Sequence, residues 1–244
     1  MAIQGWKINI MGKILFLGAH PDDETFLPGA TLAKYADLGH EIHVVSATRG
    51  EAGVWADVKP NGKSLGEIRE TEHRKAATIL GIKTIEYLDY IDGTLANKHV
   101  DDLVTKLKEI AVKINPEVIM TLDLLGISGH IDHIVVSLVT TKMFQEMADI
   151  KKLYYFVLPE KVTNEIFNTT GRKVWGRAEN EITTTINVEK WISNKIEAAR
   201  CHQTQRRDVE RLISRWLTYK YDCFVLGGSR VESKFPEEDL FSGI

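Results

Sequence analysis

The chain has 244 residues, 43% of them hydrophobic, and a formal net charge of −3 from 31 Lys and Arg against 34 Asp and Glu, a balance that offers no basic footprint for nucleic acid. No apolar run approaches the ~20 residues needed to span a membrane, and the first ten residues lack the charged start and apolar core of a signal peptide. Two cysteines, Cys201 and Cys223, have no metal-like spacing and build no disulfide framework, which suits a reducing cytoplasmic location.

The first clear element is the apolar run Lys13-Ile14-Leu15-Phe16-Leu17-Gly18, which reads as a buried strand. Met11 directly precedes its entry, so residues 1–12 read as an N-terminal extension or strand lead-in. Directly after the run comes Ala19-His20-Pro21-Asp22-Asp23-Glu24. One His and three acids therefore sit where the strand ends and the chain turns, the edge of an open α/β sheet at which ligands bind. A bound divalent metal would explain that concentration of charge. The bland reading is the first turn of a helix, where acids are favoured, and Glu24 fits it best.

A helical pattern over residues 25–38 leads to a second strand near 42–47, flanked by His40 and His43, which read as exposed. Thr48-Arg49-Gly50-Glu51 then reaches the same edge. Arg49 could grip a sugar hydroxyl, carboxylate or phosphate through its planar fork, or pair on the surface with Glu51 or Glu67. Residues 49–64 form a Gly-rich polar loop long enough to be functional. It reads as a substrate-facing flap, with Trp55 either a sugar-stacking platform or an anchor for the flap. The helix near 65–80 carries Arg69 among Glu70, Glu72 and Arg74, so pairing along the helix surface is its default. After a third strand near 84–89, Asp92 precedes Gly93 and either orients a motif residue from behind or makes a plain Asp-Gly turn.

A helix near 101–114 and a buried strand at 117–122 lead to Gly129-His130-Ile131-Asp132-His133, followed by a helix near 132–149. This second polar cluster repeats the context of the first, so His20, Asp23 and His133 can converge on one metal. A fifth strand near 153–158 completes the alternation, which argues for parallel βαβ units. Residues 159–188 read as irregular apart from an added strand at 182–186, and helical patterns resume from about 188 to 217. The expected architecture is α/β and Rossmann-like: a mostly parallel sheet with helices on both faces and a C-terminal elaboration. The first turn lacks the Gly-x-Gly-x-x-Gly of dinucleotide binders.

His-Pro-Asp-Asp-Glu after the first strand and His-x-Asp-His after a later one resemble the LmbE-like/PIG-L superfamily of zinc-dependent deacetylases, which includes N-acetylglucosaminyl-phosphatidylinositol de-N-acetylases and mycothiol- and bacillithiol-pathway enzymes. Ile131 stands where Pro is common in that pattern. Further matches are Thr48-Arg49-Gly50-Glu51, Arg69-Glu70-x-Glu72, Asp92-Gly93, and Lys195 with His202-Gln203-Thr204-Gln205. The resemblance implies one zinc per chain, removal of acetyl from an N-acetylglucosamine-type amino sugar or its conjugate, a deacetylase domain over residues 13–244 with its core at 13–158 and elaboration at 159–244, and tolerance of homo-oligomers. His202 reads equally as a substrate contact or a helix-end contact.

Beside the resemblance stands the chemistry. A catalytic zinc takes three protein ligands and keeps one place for water; Fe2+ or another divalent ion suits the same donors. With His20, Asp23 and His133 as ligands, Asp22 is left as general base toward water. His130 would stabilise the oxyanion or protonate the leaving amine. Hydrolysis of another amide or of a phosphoester, and a non-catalytic zinc-binding protein, are the alternatives.

Overall fold

A computed structural model describes residues 11–54 and 62–244. The expected extension over residues 1–10 and the proposed platform Trp55 lie outside the described residues. In chain order the elements are β1 (Lys13–Gly18), α1 (Asp23–Phe26), α2 (Gly29–Asp37), β2 (Glu41–Thr48), α3 (Leu65–Leu80), β3 (Thr84–Tyr90), α4 (Val100–Ile114), β4 (Val118–Leu122), α5 (Gly126–Gly129), α6 (Ile131–Glu146), β5 (Lys152–Val157), α7 (Glu160–Thr170), β6 (Thr184–Asn187), α8 (Ile192–Cys201), α9 (Arg206–Thr218) and β7 (Tyr221–Ser229). Among the described residues, no helix is long and apolar enough to cross a membrane.

One seven-stranded sheet runs β3-β2-β1-β4-β5-β7-β6. The first five strands are mutually parallel, and β7 lies antiparallel between β5 and β6. The α/β expectation, mostly parallel with helices on both faces, is met. Strands buried on two faces need apolar side chains at every position, and β1, β4 and β5 are buried almost throughout. Alternate residues serve opposite layers. Ile14, Phe16, Val118, Met120 and Phe156 pack with α2, α8 and α9 on one side. Leu15, Leu17, Ile119 and Leu153 pack with α4 and α6 on the other.

Chain order reverses beside β1. From β1 the chain steps outward to β2 and β3, then returns to place β4 on the other flank of β1, where Ile14, Leu15 and Phe16 face Val118, Ile119 and Met120. The two motifs leave the ends of these paired neighbours, so the switch point of the sheet brings them together.

Three expectations are corrected. The helix read at 25–38 is two pieces, because Pro28 lacks an N–H and disfavours helical backbone at Leu27. Part of the stretch read as irregular is the helix α7. The strand β7 went unread, as did the break between α8 and α9 at His202–Gln205.

The C-terminal segment closes the sheet through a buried ion pair. Lys152 Nζ donates to Glu237 Oε1 at 2.6 Å, and Tyr154 Oη to Glu237 Oε2 at 2.6 Å. Both partners of the pair are almost fully enclosed. Lys152→Met leaves Glu237 buried without its cation and is expected to destabilise the fold by roughly 3–5 kcal/mol. Adding Glu237→Gln should recover much of that loss. Urea unfolding of the single and double variants measures both.

Candidate metal centre and cleft

The turn after β1 is shaped by one of its own acids. Asp23 Oδ2 accepts the backbone N–H groups of Ala19 at 2.7 Å and His20 at 3.0 Å. That fixes the carboxylate and leaves Oδ1 facing His133 Nε2 at 3.3 Å. On its other side, His133 Nε2 lies 3.1 Å from His20 Nδ1. The second ring nitrogen of His133 is committed, donating from Nδ1 to the Gly126 carbonyl at 3.0 Å. Gly126 has φ +68°, and a Cβ there would meet His133 Cβ at 2.9 Å. Only glycine lets the backbone approach this closely.

His20 is backed by two carboxylates. Its Nε2 lies 2.9 Å from Asp92 Oδ1 and 3.6 Å from Asp132 Oδ2, close enough for strong attraction but off the axis of a hydrogen bond. Asp92 is itself held by the Ala52 N–H at 3.1 Å. Asp132 accepts from Gly93 N at 2.7 Å and Leu95 N at 3.1 Å. This carboxylate ties the loop after β3 to the second motif.

Charge follows geometry. Burial disfavours the imidazolium of His20, but Asp132, Asp92 and Asp23 outweigh it and raise the pKa to about 10. Burial also opposes His133, yet Asp23 raises it. Asp23 is pushed up by burial but pulled well below the usual carboxylate range by His133 and His20. These acids and imidazoles form a site that attracts a cation.

The donor set suits a divalent metal. Two imidazoles turn one nitrogen each inward while the other faces a carbonyl or carboxylate, the arrangement that orients metal-bound histidines. A carboxylate oxygen completes the trio. Separations of 3.1 and 3.3 Å about His133 Nε2 are near the ~3.4 Å edge expected for four ligands at ~2.1 Å around zinc. Donor atoms of His20, His130 and His133 also lie within 4.8 Å of one another, as do those of His20, Asp92 and Asp132. Asp23 is in neither of these two groups.

Asp22 and His130 flank the trio. Asp22 Oδ2 accepts from Arg69 Nη2 at 3.0 Å; burial raises its pKa to about 6, with Arg69 opposing. His130 Nδ1 accepts the Asp132 N–H at 3.2 Å, capping α6. That contact requires an unprotonated Nδ1. Burial and the neighbouring His20 and His133 also lower the His130 pKa, which favours the same neutral ring.

The remaining candidates are engaged within the protein itself. Arg69 is buried rather than paired along its helix surface, because its guanidinium also donates to the Gly50 carbonyl at 3.0 Å and the Pro21 carbonyl at 3.3 Å. Arg49 points to Asp89 at 2.8 Å and to Glu70, and lies 4.6 Å over the Tyr87 ring, so its fork is engaged away from the cleft. His202 is fully buried 3.4 Å from Thr25 Oγ1, its pKa pushed down to about 3 by burial, beneath the motif and not in the cleft wall. His43 is not exposed but buried 2.7 Å from Thr84 Oγ1. Glu24 pairs with His73 at 3.1 Å under the metal motif, a contact that no spacing in the sequence announces.

The site opens into a cavity of about 970 Å3. Its lining joins His20, Asp22, Asp23, Asp92, His130 and His133 to apolar residues that include Phe26, Phe156, Ile192 and Trp216.

The family model described as GlcNAc-PI de-N-acetylase matches residues 15–144. A 1D-myo-inositol 2-acetamido-2-deoxy-alpha-D-glucopyranoside deacetylase of Thermobifida fusca is 31% identical, over 79% of this chain and 83% of that protein. In fold, the chain is similar to the 4-carboxy-2-hydroxymuconate hydratase of Pseudomonas putida (TM-score 0.67, 19% identity, 92% of this chain and 100% of that one). It is also similar to the N,N'-diacetylchitobiose deacetylase of Pyrococcus horikoshii (TM-score 0.63, 20% identity, 88% and 83%). With both motifs at the switch point of the sheet and more than half its length matched, the chain belongs to the GlcNAc-PI de-N-acetylase family.

Proposed function

We propose that the protein is a zinc-dependent hydrolase that removes acetyl from an N-acetylglucosamine-type amino sugar or its conjugate. The observation that carries this reading is His133 Nε2 standing 3.1 Å from His20 Nδ1 and 3.3 Å from Asp23 Oδ1, beside a separately held carboxylate, Asp22. The name of the Thermobifida fusca relative supports the choice of an acetamido sugar.

His20, Asp23 and His133 hold the metal. Asp23 is preferred to His130 as third ligand because His130 already caps α6 through Nδ1, and because a carboxylate offsets the charge of a divalent ion. Zinc, when bound, polarises the amide carbonyl and acidifies a water. Asp22 takes a proton from the attacking water and delivers it to the departing nitrogen, so that the C–N bond breaks to give acetate and the free amine. Arg69 holds Asp22 in place. His130, protonated on Nε2, donates a hydrogen bond to the oxygen that gains charge as the carbonyl becomes tetrahedral. Asp92, beside His20 Nε2 at 2.9 Å, keeps the Nδ1 lone pair of His20 turned to the metal.

Amine release from a panel of N-acetylglucosamine conjugates, with metal-analysed protein before and after chelation, tests the reaction. Release that stops on chelation and returns with zinc is expected; a protein that binds no transition metal even after reconstitution overturns the reading. Asp22→Asn should lower kcat by roughly 10²–10⁴-fold while the metal stays bound, and metal loss from this variant would refute the division of roles. In a chelator competition, Asp92→Asn should weaken zinc binding by roughly 10–100-fold, and His133→Ala should weaken it further.

A further inference from the structure

The turn between β4 and α6 carries the second motif, and its backbone is held in a conformation that its residues resist. Gly126 and Gly129 stand at φ +68° and +77°, where glycine is at ease. Between them Ile127 has φ +59° and ψ −64°, close to the rarer, strained hand of the γ-turn. A β-branched side chain at positive φ crowds the adjoining backbone, so such a residue persists only where its surroundings restrain it. Two functional histidines depend on this turn. The Gly126 carbonyl accepts from His133 Nδ1 at 3.0 Å, and His130 follows Gly129 directly. Ile127, Ser128 and His130 all line the cleft.

The restraint comes from residues 174–177, between α7 and β6. The Trp175 N–H donates to the Ile127 carbonyl at 2.8 Å. Its indole packs on Gly129, where a Cβ would stand 2.6 Å from the ring. Two residues on, Arg177 Nε donates to Asp123 Oδ2 at 2.9 Å, and the other oxygen of Asp123 accepts the Leu125 N–H at 2.8 Å, which fixes the turn at its start. The segment is itself fastened where β5 ends: Arg177 N donates to the Leu158 carbonyl at 2.8 Å, and the Arg177 carbonyl accepts from Glu160 N at 2.9 Å. Trp175 is partly exposed and belongs to none of the hydrophobic clusters among the described residues, so filling the core is not its service. Its ring and its amide both fall on the one turn that needs restraint.

We propose that residues 174–177 form a strap that positions the second motif, with Trp175 holding the strained turn at Ile127 and Arg177 fixing Asp123 at its start. Both are positioning residues, acting on His133 through the Gly126 carbonyl and on His130 through Gly129. The proposal rests on the roles given above to His133 in metal binding and to His130 in catalysis. It places part of the support for those histidines outside residues 15–144, which the family model matches. With the strap lost, Ile127 relaxes away from positive φ, and the carbonyl that sets the tautomer and angle of the His133 ring leaves its place.

Two measurements on the full chain test it. Hydrogen exchange of metal-free protein, read by mass spectrometry, needs neither zinc nor turnover. In Trp175→Ala the peptide over residues 123–133 should exchange about tenfold or more faster while peptides from β1 and β2 keep their rates, and Trp175→Phe should stay near wild type. Exchange that rises equally across the chain, or not at all in this peptide, overturns the proposal. In a chelator competition, Trp175→Ala should weaken zinc binding by roughly tenfold. That loss should be smaller in an Ile127→Gly background, where positive φ carries no strain, than in Ile127→Ala, where a Cβ remains. Unchanged zinc affinity in Trp175→Ala, or equal losses in the two backgrounds, overturns the proposal. If Trp175→Ala does not fold, Arg177→Gln carries both measurements. A wild-type protein that holds no zinc sinks the deacetylase reading alone, and hydrogen exchange then still decides whether the strap holds the turn.

Discussion

Four carboxylates, those of Asp22, Asp23, Asp92 and Asp132, crowd the edge where β1 and β4 end. Like charges this close in a poorly solvated place repel strongly, and the fold persists only because each is given something positive or polar to face. Asp22 has Arg69, Asp23 has two backbone N–H groups, Asp132 has two more, and Asp92 has Ala52 N. What remains uncompensated points inward at His20 and His133. With no metal, protons on the imidazoles supply the missing charge, which is why both rings are raised. A divalent cation answers the same demand and leaves the ring nitrogens as ligands.

The support for this cluster reaches well below it. Glu24 is almost fully enclosed and faces His73 at 3.1 Å, while His73 Nδ1 lies 2.8 Å from Tyr87 Oη. His202 abuts Thr25 from α8, and Glu72 accepts from Thr204 N and Oγ1 at 3.0 and 2.6 Å. Through these contacts, α3 and the turn after α8 clamp the helix that begins at Asp23. Low local dielectric strengthens such buried polar contacts, although His73 Nε2 and His202 Nδ1 make no hydrogen bond among the described residues. The contacts account for the motif's last acid, Glu24, as a structural anchor and not a fourth ligand.

Much of the core and both motifs were legible because they obey short-range rules. Buried parallel strands are apolar at every position, and a charged turn at such a strand's end is conspicuous. The elements that went unread break those rules. In α7, helix-poor Thr163, Asn164, Thr169 and Thr170 blur the apolar face, of which Val162 and Ile166 are the buried core. In β7, Gly227 and Gly228 lower the strand signal, yet a Cβ at either would collide with the ring of Tyr155 or Phe144. The glycines make room for aromatic packing across the sheet. Arg49 and Arg69 show a subtler limit: both reach the right edge of the sheet, but which guanidinium is buried depends on Gly50, where a Cβ would clash with the Arg69 side chain. Sequence spacing carries no trace of that.

The division between what is matched and what is not has a chemical meaning. The family model covers residues 15–144, which contain every residue assigned to metal, base and oxyanion. Much of the rest of the cavity lining, including Phe156, Ile192, Leu212, Arg215 and Trp216, comes later in the chain. A hydratase shares this fold at 19% identity, so the fold alone does not select the reaction. On the proposed reading the reaction is set by the few groups at the switch point, while the later helices, which line the same cavity, bear on what is attached to the reacting amide.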